Sequence, residues 1–140
     1  MIEAAKVHDV VKGEIQPTGT VILVDRLWPR GIAKRDLHYD HWFKDVAPSP
    51  ELRQWWGHDS DTFDEFARRY RAELDAADAA GADDSAGAAD AADAARAAEL
   101  EELRQLAGDE NSGLVTLLFA ASDRSVNHAV VLRDWLEEDA

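Results

Sequence analysis

Residues 114–121 read LVTLLFAA and residues 20–24 read TVILV. Both are short, unbroken apolar runs rich in strand-forming residues. A strand with one wet face alternates apolar with polar side chains, so an unbroken run marks a strand covered on both faces. Two such strands separated by helical segments need helices on either side of the sheet they share. The expected fold is therefore α/β: a small, mainly parallel sheet flanked by helices, in a single domain. A weaker first strand is expected within residues 4–10.

The segments between the strands carry helix signals. Tyr39, Trp42, Phe43 and Val46 recur at i, i+3, i+4 and i+7, which predicts a helix over residues 36–46. Ser49, Pro50 and Glu51 read as the cap, first residue and first-turn acid of a short helix that Gly57 ends. Thr62 and Glu65 have capping-box spacing ahead of a stripe of Phe63, Phe66, Tyr70 and Leu74. Leu100, Leu103 and Leu106 mark another helix, stopped at Gly108. A last helix over residues 125–137 is expected to bury Val126, Val130 and either Leu132 or Trp135 with Leu136.

Composition bounds what this fold can do. Of the 64 apolar residues 25 are alanine, and the other 39 suffice for one compact core. With no cysteine there is neither a disulfide nor a thiolate nucleophile or metal ligand. Neither an apolar run of membrane-spanning length nor a basic-then-apolar leader occurs, so a soluble cytoplasmic protein without membrane contact is expected. Residues 75–98 hold 14 Ala and 6 Asp and no large apolar side chain. Such a segment buries too little to offset its ordering entropy, and it reads as either a frayed Ala-rich helix or a solvated insertion without a packing role, least helical over residues 81–87, with residue 90 onward able to join the helix that follows.

The 29 acids outnumber the 15 bases, for a net charge of −14. A field of that sign disfavours nucleic acid and anionic membranes as partners. The preference for Asp over Glu (18 against 11) and for Arg over Lys (11 against 4) resembles the surfaces of halophilic proteins. Locally the balance reverses: residues 25–35 hold Arg26, Arg30, Lys34 and Arg35 against Asp25 alone. Guanidinium forks match carboxylate and phosphate geometry, so this cluster points to an anionic ligand.

In open α/β sheets ligands gather beyond the carboxyl ends of the strands. DRLWPRG at 25–31 leaves the first of the two quoted strands, and SDRSVNH at 122–128 leaves the second. The candidate ligand-binding residues are therefore Arg26, Trp28, Arg30, Gly31, Asp123 and Asn127, and the candidate catalytic groups are Asp25 and His128. His128, in the first turn of a predicted helix, would have its imidazole held neutral by the helix dipole, as suits a general base. His38, His41 and Asp45 share one face of the predicted 36–46 helix, but without a fourth ligand they read as a solvated face. No metal and no cofactor is expected.

These segments resemble the short YeaO-like branch of the domain-of-unknown-function 488 family. The resemblance lies in VILVDRLWPRGI at 21–32, APSPELRQWWGHD at 47–59, FARRYRAEL at 66–74 and VTLLFAASDRSVNHAVVL at 115–132. It implies an α/β fold, puts Asp25, Arg26, Trp28, Pro29, Arg30 and Gly31 in the family's most characteristic motif and Asn127 and His128 in its second, and brings no activity with it. Trp42, Lys44, Ser49, Arg53 and His58 match the connecting motif, and all but Ser49 are secondary site candidates. Longer relatives carry Cys-His-Arg where this chain has Val126, Asn127 and His128.

Three functional readings follow. The first is a protein binding a nucleotide or phosphorylated metabolite at the sheet edge, with hydrolase or transferase chemistry at Asp25 or His128 under arginine stabilisation. The second is a binding or regulatory module that uses the same arginines without chemistry. The third is a nucleic-acid accessory protein, weakened by the net charge. The acid surface also has a consequence for stability, because repulsion reaches about 10 Å at 0.1 M salt and about 3 Å at 1 M. The melting temperature is expected to be lower in dilute buffer than in molar KCl, and equal values would remove the halophilic reading.

Overall fold

A computed structural model describes residues 2–57, 59–82, 91–108 and 114–138. Four parallel strands form one sheet in the order β1-β4-β2-β3: β1 (Ile2–Lys6), β2 (Thr20–Leu23), β3 (His41–Trp42) and β4 (Val115–Phe119). In the central strand β4, Leu117 stands between Ala4 of β1 and Ile22 of β2. All five residues of β4 are buried, as its unbroken apolar run requires.

Strand periodicity divides the core into two layers. Ile22, Val24, Leu117 and Phe119 face one side of the sheet, where they meet α3 (Phe63–Ala82), α4 (Ala91–Ala107) and α5 (His128–Glu138) through Phe66, Leu74, Leu103 and Leu132. Val21, Leu23 and Leu118 face the other side, under Val7 of α1 (Val7–Val11) and Leu37, with Trp28 and Trp42 packed at the rim. The short α2 (Pro50–Trp56) forms as expected. The Ser49 side chain accepts from the Leu52 amide, and Gly57 ends the helix in the left-handed conformation that a side chain would disfavour. No helix among the described residues is long and apolar enough to cross a membrane.

Several boundaries differ from the sequence expectation. Residues 36–46 are not a helix: a 3-10 turn at Lys34–Asp36 leads into β3, and Asp40 and Phe43 donate their amides to the carbonyls of Val21 and Leu23. Tyr39 and Trp42 pack on one layer, whereas Phe43 and Val46 enter the other. The apparent helical stripe is thus a chain crossing the sheet edge. The shared face of His38, His41 and Asp45 disappears with the helix.

The first strand begins earlier than expected, and the chain turns helical at Val7. A 3-10 turn at Ser60–Thr62 leads into α3, and its cap is Asp59, whose carboxylate accepts from the Asp61 amide. Thr62 donates to the Asp59 carbonyl, and Glu65 pairs with Arg68 and Arg69 instead of closing a box. The last helix starts at His128 rather than at residue 125, and it buries Leu132, Trp135 and Leu136 together, with Val130 half-buried.

The Ala/Asp-rich segment also departs from its solvated reading. Gly81 lies within α3, residues 83–90 lie outside the described residues, and Ala77 is fully buried. Asp75 accepts from the Trp135 indole at 2.9 Å, and Asp78 pairs with Arg104 at 2.6 Å. Arg96 of α4 is 7% exposed and donates to the carbonyls of Asp45 and Ala47, both at 2.8 Å. Arg96 and the buried leucines after it, Leu100 and Leu103, make the anchor of α4. Replacing Arg96 with Ala is expected to cost about 3 kcal/mol in urea unfolding, the scale of two hydrogen bonds from a charged donor. A loss below about 0.5 kcal/mol, the ordinary surface value, would show that α4 is not anchored there.

Candidate functional site

The carboxyl ends of β2 and β4 open into a cleft of about 640 Å³. The turn after β2 lines it with Asp25, Arg26, Leu27, Trp28, Pro29 and Arg30. The turn after β4 adds residues 120–123, Val126 and His128, and the approach to α2 adds Ala47, Pro48 and Arg53. Adjacent parallel strands end side by side, so two turns about a hundred residues apart in sequence form one rim.

Asp25 and His128 form a clasp at the floor, each with a side chain 14% exposed. Asp25 Oδ2 accepts from the Ala120 amide at 2.9 Å, joining the exits of the two strands. His128 Nε2 lies 3.0 Å from the Val24 carbonyl and 3.2 Å from Asp25 Oδ1. A carbonyl only accepts, so Nε2 carries the proton, and a neutral ring has its lone pair on Nδ1. The Nε2 proton points to Val24, leaving Asp25 Oδ1 within ion-pair range but without a hydrogen bond of its own.

The arginines sort into two groups. Seven of the eleven lie within 4 Å of a carboxylate: Arg68, Arg69, Arg71, Arg96, Arg104, Arg124 and Arg133. The other four, Arg26, Arg30, Arg35 and Arg53, have no acid partner among the described residues, and all but Arg35 line the cleft. Arg26 Nη2 makes only long contacts to the carbonyls of Ala47 and Pro48, at 3.4 and 3.5 Å, and its buried Nε has no partner. The rim acid Asp123 is occupied by the amides of Ser125 and Val126, which hold its carboxyl below the usual range.

Other candidates stand elsewhere. Asn127 is fully buried and does not line the cleft: its Oδ1 accepts from the Val130 amide as the cap of α5, and its Nδ2 donates to the Asp123 carbonyl. Trp28 lines the cleft, but its indole N–H goes to the Ile32 carbonyl and its ring packs against Tyr39 and Trp42, with both centroids 5.5 Å away. Trp42 donates to the Asp25 carbonyl at 2.7 Å from behind the turn, and Lys44 lies over the Trp42 ring. Gly31 is exposed at φ 81°, a turn residue outside the lining. His58 lies outside the described residues.

Sequence reasoning missed the support behind the cleft, a turn over residues 45–49 gripped by two helices. From α3, Tyr70 donates to the Val46 carbonyl and Glu73 accepts from the Ser49 amide at 3.0 Å. From α4, Glu99 Oε1 accepts from the amides of Asp45 and Val46, both at 2.9 Å, beside the Arg96 contacts. The available signal was Arg96 and Glu99, three apart on one helical face at the end of the Ala/Asp tract.

Fold and site together define a small parallel α/β protein with a cleft at the carboxyl ends of its strands. The chain belongs to the YeaO-like branch of the domain-of-unknown-function 488 family. Residues 1–81 match the family described as the inactive DUF488-N3 subclade. Uncharacterized protein YeaO of Escherichia coli K12 is 36% identical over 135 residues, 96% of each chain. Uncharacterized proteins Rv3073c of Mycobacterium tuberculosis H37Rv and Mb3100c of Mycobacterium bovis are each 49% identical over 74 residues, 52% of this chain. That match spans 59% of the length of either mycobacterial protein. No solved structure matches the chain significantly.

The grip on the 45–49 turn has a pH signature. Burial, and after it the nearby Asp45 carboxylate, push the Glu99 carboxyl up from 4.5 to about 7. Between these values the folded chain binds a proton that the unfolded chain has released, so this group makes stability fall as pH rises across the window. Glu99→Gln keeps the Oε1 acceptor and removes the charge. It is expected to be more stable than the parent at pH 8 by about 1 kcal/mol, allowing for solvent screening, with a flatter melting profile from pH 5 to 7. A variant less stable at pH 8 would contradict this assignment.

Proposed function

We propose that the protein binds a small anion-bearing ligand, a nucleotide or phosphorylated metabolite, in this cleft and acts as a binding or regulatory module of the cytoplasm without chemistry of its own. The observation that carries the reading is that three of the four arginines without an acid partner among the described residues line one cleft, in a chain of net charge −14. Where acids are in excess, a guanidinium without one is the exception, and three on one concave surface match the demands of phosphate recognition. The non-catalytic form is supported by the clasp, whose Asp25 Oδ2 and His128 Nε2 are engaged by backbone groups. The name of the matching subclade, inactive, agrees with it.

The test separates binding from architecture. Arg30 is exposed and has no carboxylate beside it, so neither Arg30→Lys nor Arg30→Ala should change stability by more than about 0.5 kcal/mol. Lysine keeps the charge and loses the fork, and is expected to weaken nucleotide or phosphate binding about tenfold, with alanine weakening it further. Calorimetric titration of parent and variants in dilute and molar KCl provides the measurement. A large melting loss in Arg30→Ala with no anion bound to the parent would make the motif a structural clasp. Turnover of a phosphate ester, abolished by His128→Ala, would restore the hydrolase or transferase reading.

A further inference from the structure

We infer that the ligand of the cleft is amphipathic: a phosphate ester bearing a flat apolar group, of the chemical class of a nucleoside 5′-monophosphate. This rests on the anion-binding reading above and narrows it. The cleft, at about 640 Å³, falls within the range of about 300–1,000 Å³ typical of sites that enclose whole organic ligands, far more than one phosphate fills. Its arginines also share the lining with an apolar wall.

Leu27 carries that wall. It is 68% exposed, the most exposed large apolar side chain among the described residues, and it lies between Arg26 and Trp28 on the cleft lining. A single exposed leucine on a convex surface is ordinary. This one stands in a concavity, on a turn fixed by the Trp28 bond to the Ile32 carbonyl and the Trp42 bond to the Asp25 carbonyl. Pro29 from the same turn and Val126 from the opposite one extend the apolar lining. Trp28 is a poor stacking platform, because Tyr39, Trp42 and the Lys34 ammonium already pack against its ring. A ligand whose phosphate meets the arginines and whose flat group covers Leu27 removes that side chain from water, a gain that free phosphate or a sugar phosphate cannot supply.

The experiment titrates the full chain with inorganic phosphate, ribose 5-phosphate and adenosine 5′-monophosphate at one ionic strength, alongside Leu27→Ser. The nucleotide is expected to bind the parent about tenfold more tightly than ribose 5-phosphate, the scale of covering most of one leucine. Leu27→Ser should abolish that preference, leave ribose 5-phosphate binding within about twofold, and melt as the parent does, since the side chain is exposed. Equal affinity of the parent for the two esters overturns this inference and leaves the anion reading intact. A variant that loses both esters equally also overturns it, because Leu27 would then act by placing the arginines. No binding of any of the three probes defeats both readings.

Discussion

The carboxylate of Asp25 sits where β2 ends, and it reaches across to the first amide beyond β4, on Ala120. Parallel strands need no tie at their carboxyl ends to stay in register, and their exits can diverge. Here that hydrogen bond, beside the one from the Val24 amide to the Leu118 carbonyl, keeps the turn after β2 against the turn after β4. His128, the first residue of α5, reaches the Val24 carbonyl on the same strand exit and fixes the helix relative to both turns. Trp42 holds the Asp25 carbonyl from the sheet edge, so three elements converge on one residue. The cleft depends on this convergence, because its two rims come from segments that share no local contact in sequence.

A second constraint acts from behind. The Ala47 carbonyl receives Nη2 of Arg26 from the cleft side and Nη2 of Arg96 from α4. The distances differ, 3.4 Å against 2.8 Å, so Arg96 holds the carbonyl firmly while Arg26 rests on it loosely. A loosely held guanidinium retains the freedom to turn toward an anion. The Ala/Asp-rich tract therefore bears on the cleft although none of its described residues lines it: Arg96 holds the 45–49 turn against which Arg26 lies.

The parts legible in the sequence are those in which one physical demand acted alone. LVTLLFAA reads as a two-sided strand because nothing but double burial accounts for five consecutive buried residues from Val115 to Phe119. Ser49, Pro50 and Gly57 read correctly because a helix cap is a local device. Residues 36–46 misled because Tyr39, Trp42, Phe43 and Val46 fit a 3.6-residue period by coincidence of two contacts, a pair on each face of the sheet. Asn127 misled for a related reason. An amide beside an arginine-rich turn suits either a ligand or a helix cap, and here the four-residue reach to the Asp123 carbonyl and the Val130 amide decided for the cap. Arg96 was hidden because composition averages over a tract, whereas anchoring needs one side chain.

The local excess of positive charge becomes intelligible when the cleft's own acids are traced. Asp25 and Asp123 are the two carboxylates among the described residues of the lining, and each lies near enough in sequence to an arginine to have paired with it. Instead Asp25 accepts the Ala120 amide and Asp123 accepts the amides of Ser125 and Val126. Backbone amides are fixed donors that require no side-chain ordering, so they hold a carboxylate at less entropic cost than a long arginine does. Arg124, beside Asp123 in sequence, turns away to a bidentate pair with Asp9, whose carboxyl that bond holds below the usual range. The backbone thereby takes up one oxygen of each cleft carboxylate and leaves Arg26, Arg30 and Arg53 without an acid partner among the described residues. In a chain this rich in acid, such a cleft exists only because its own carboxylates were engaged first.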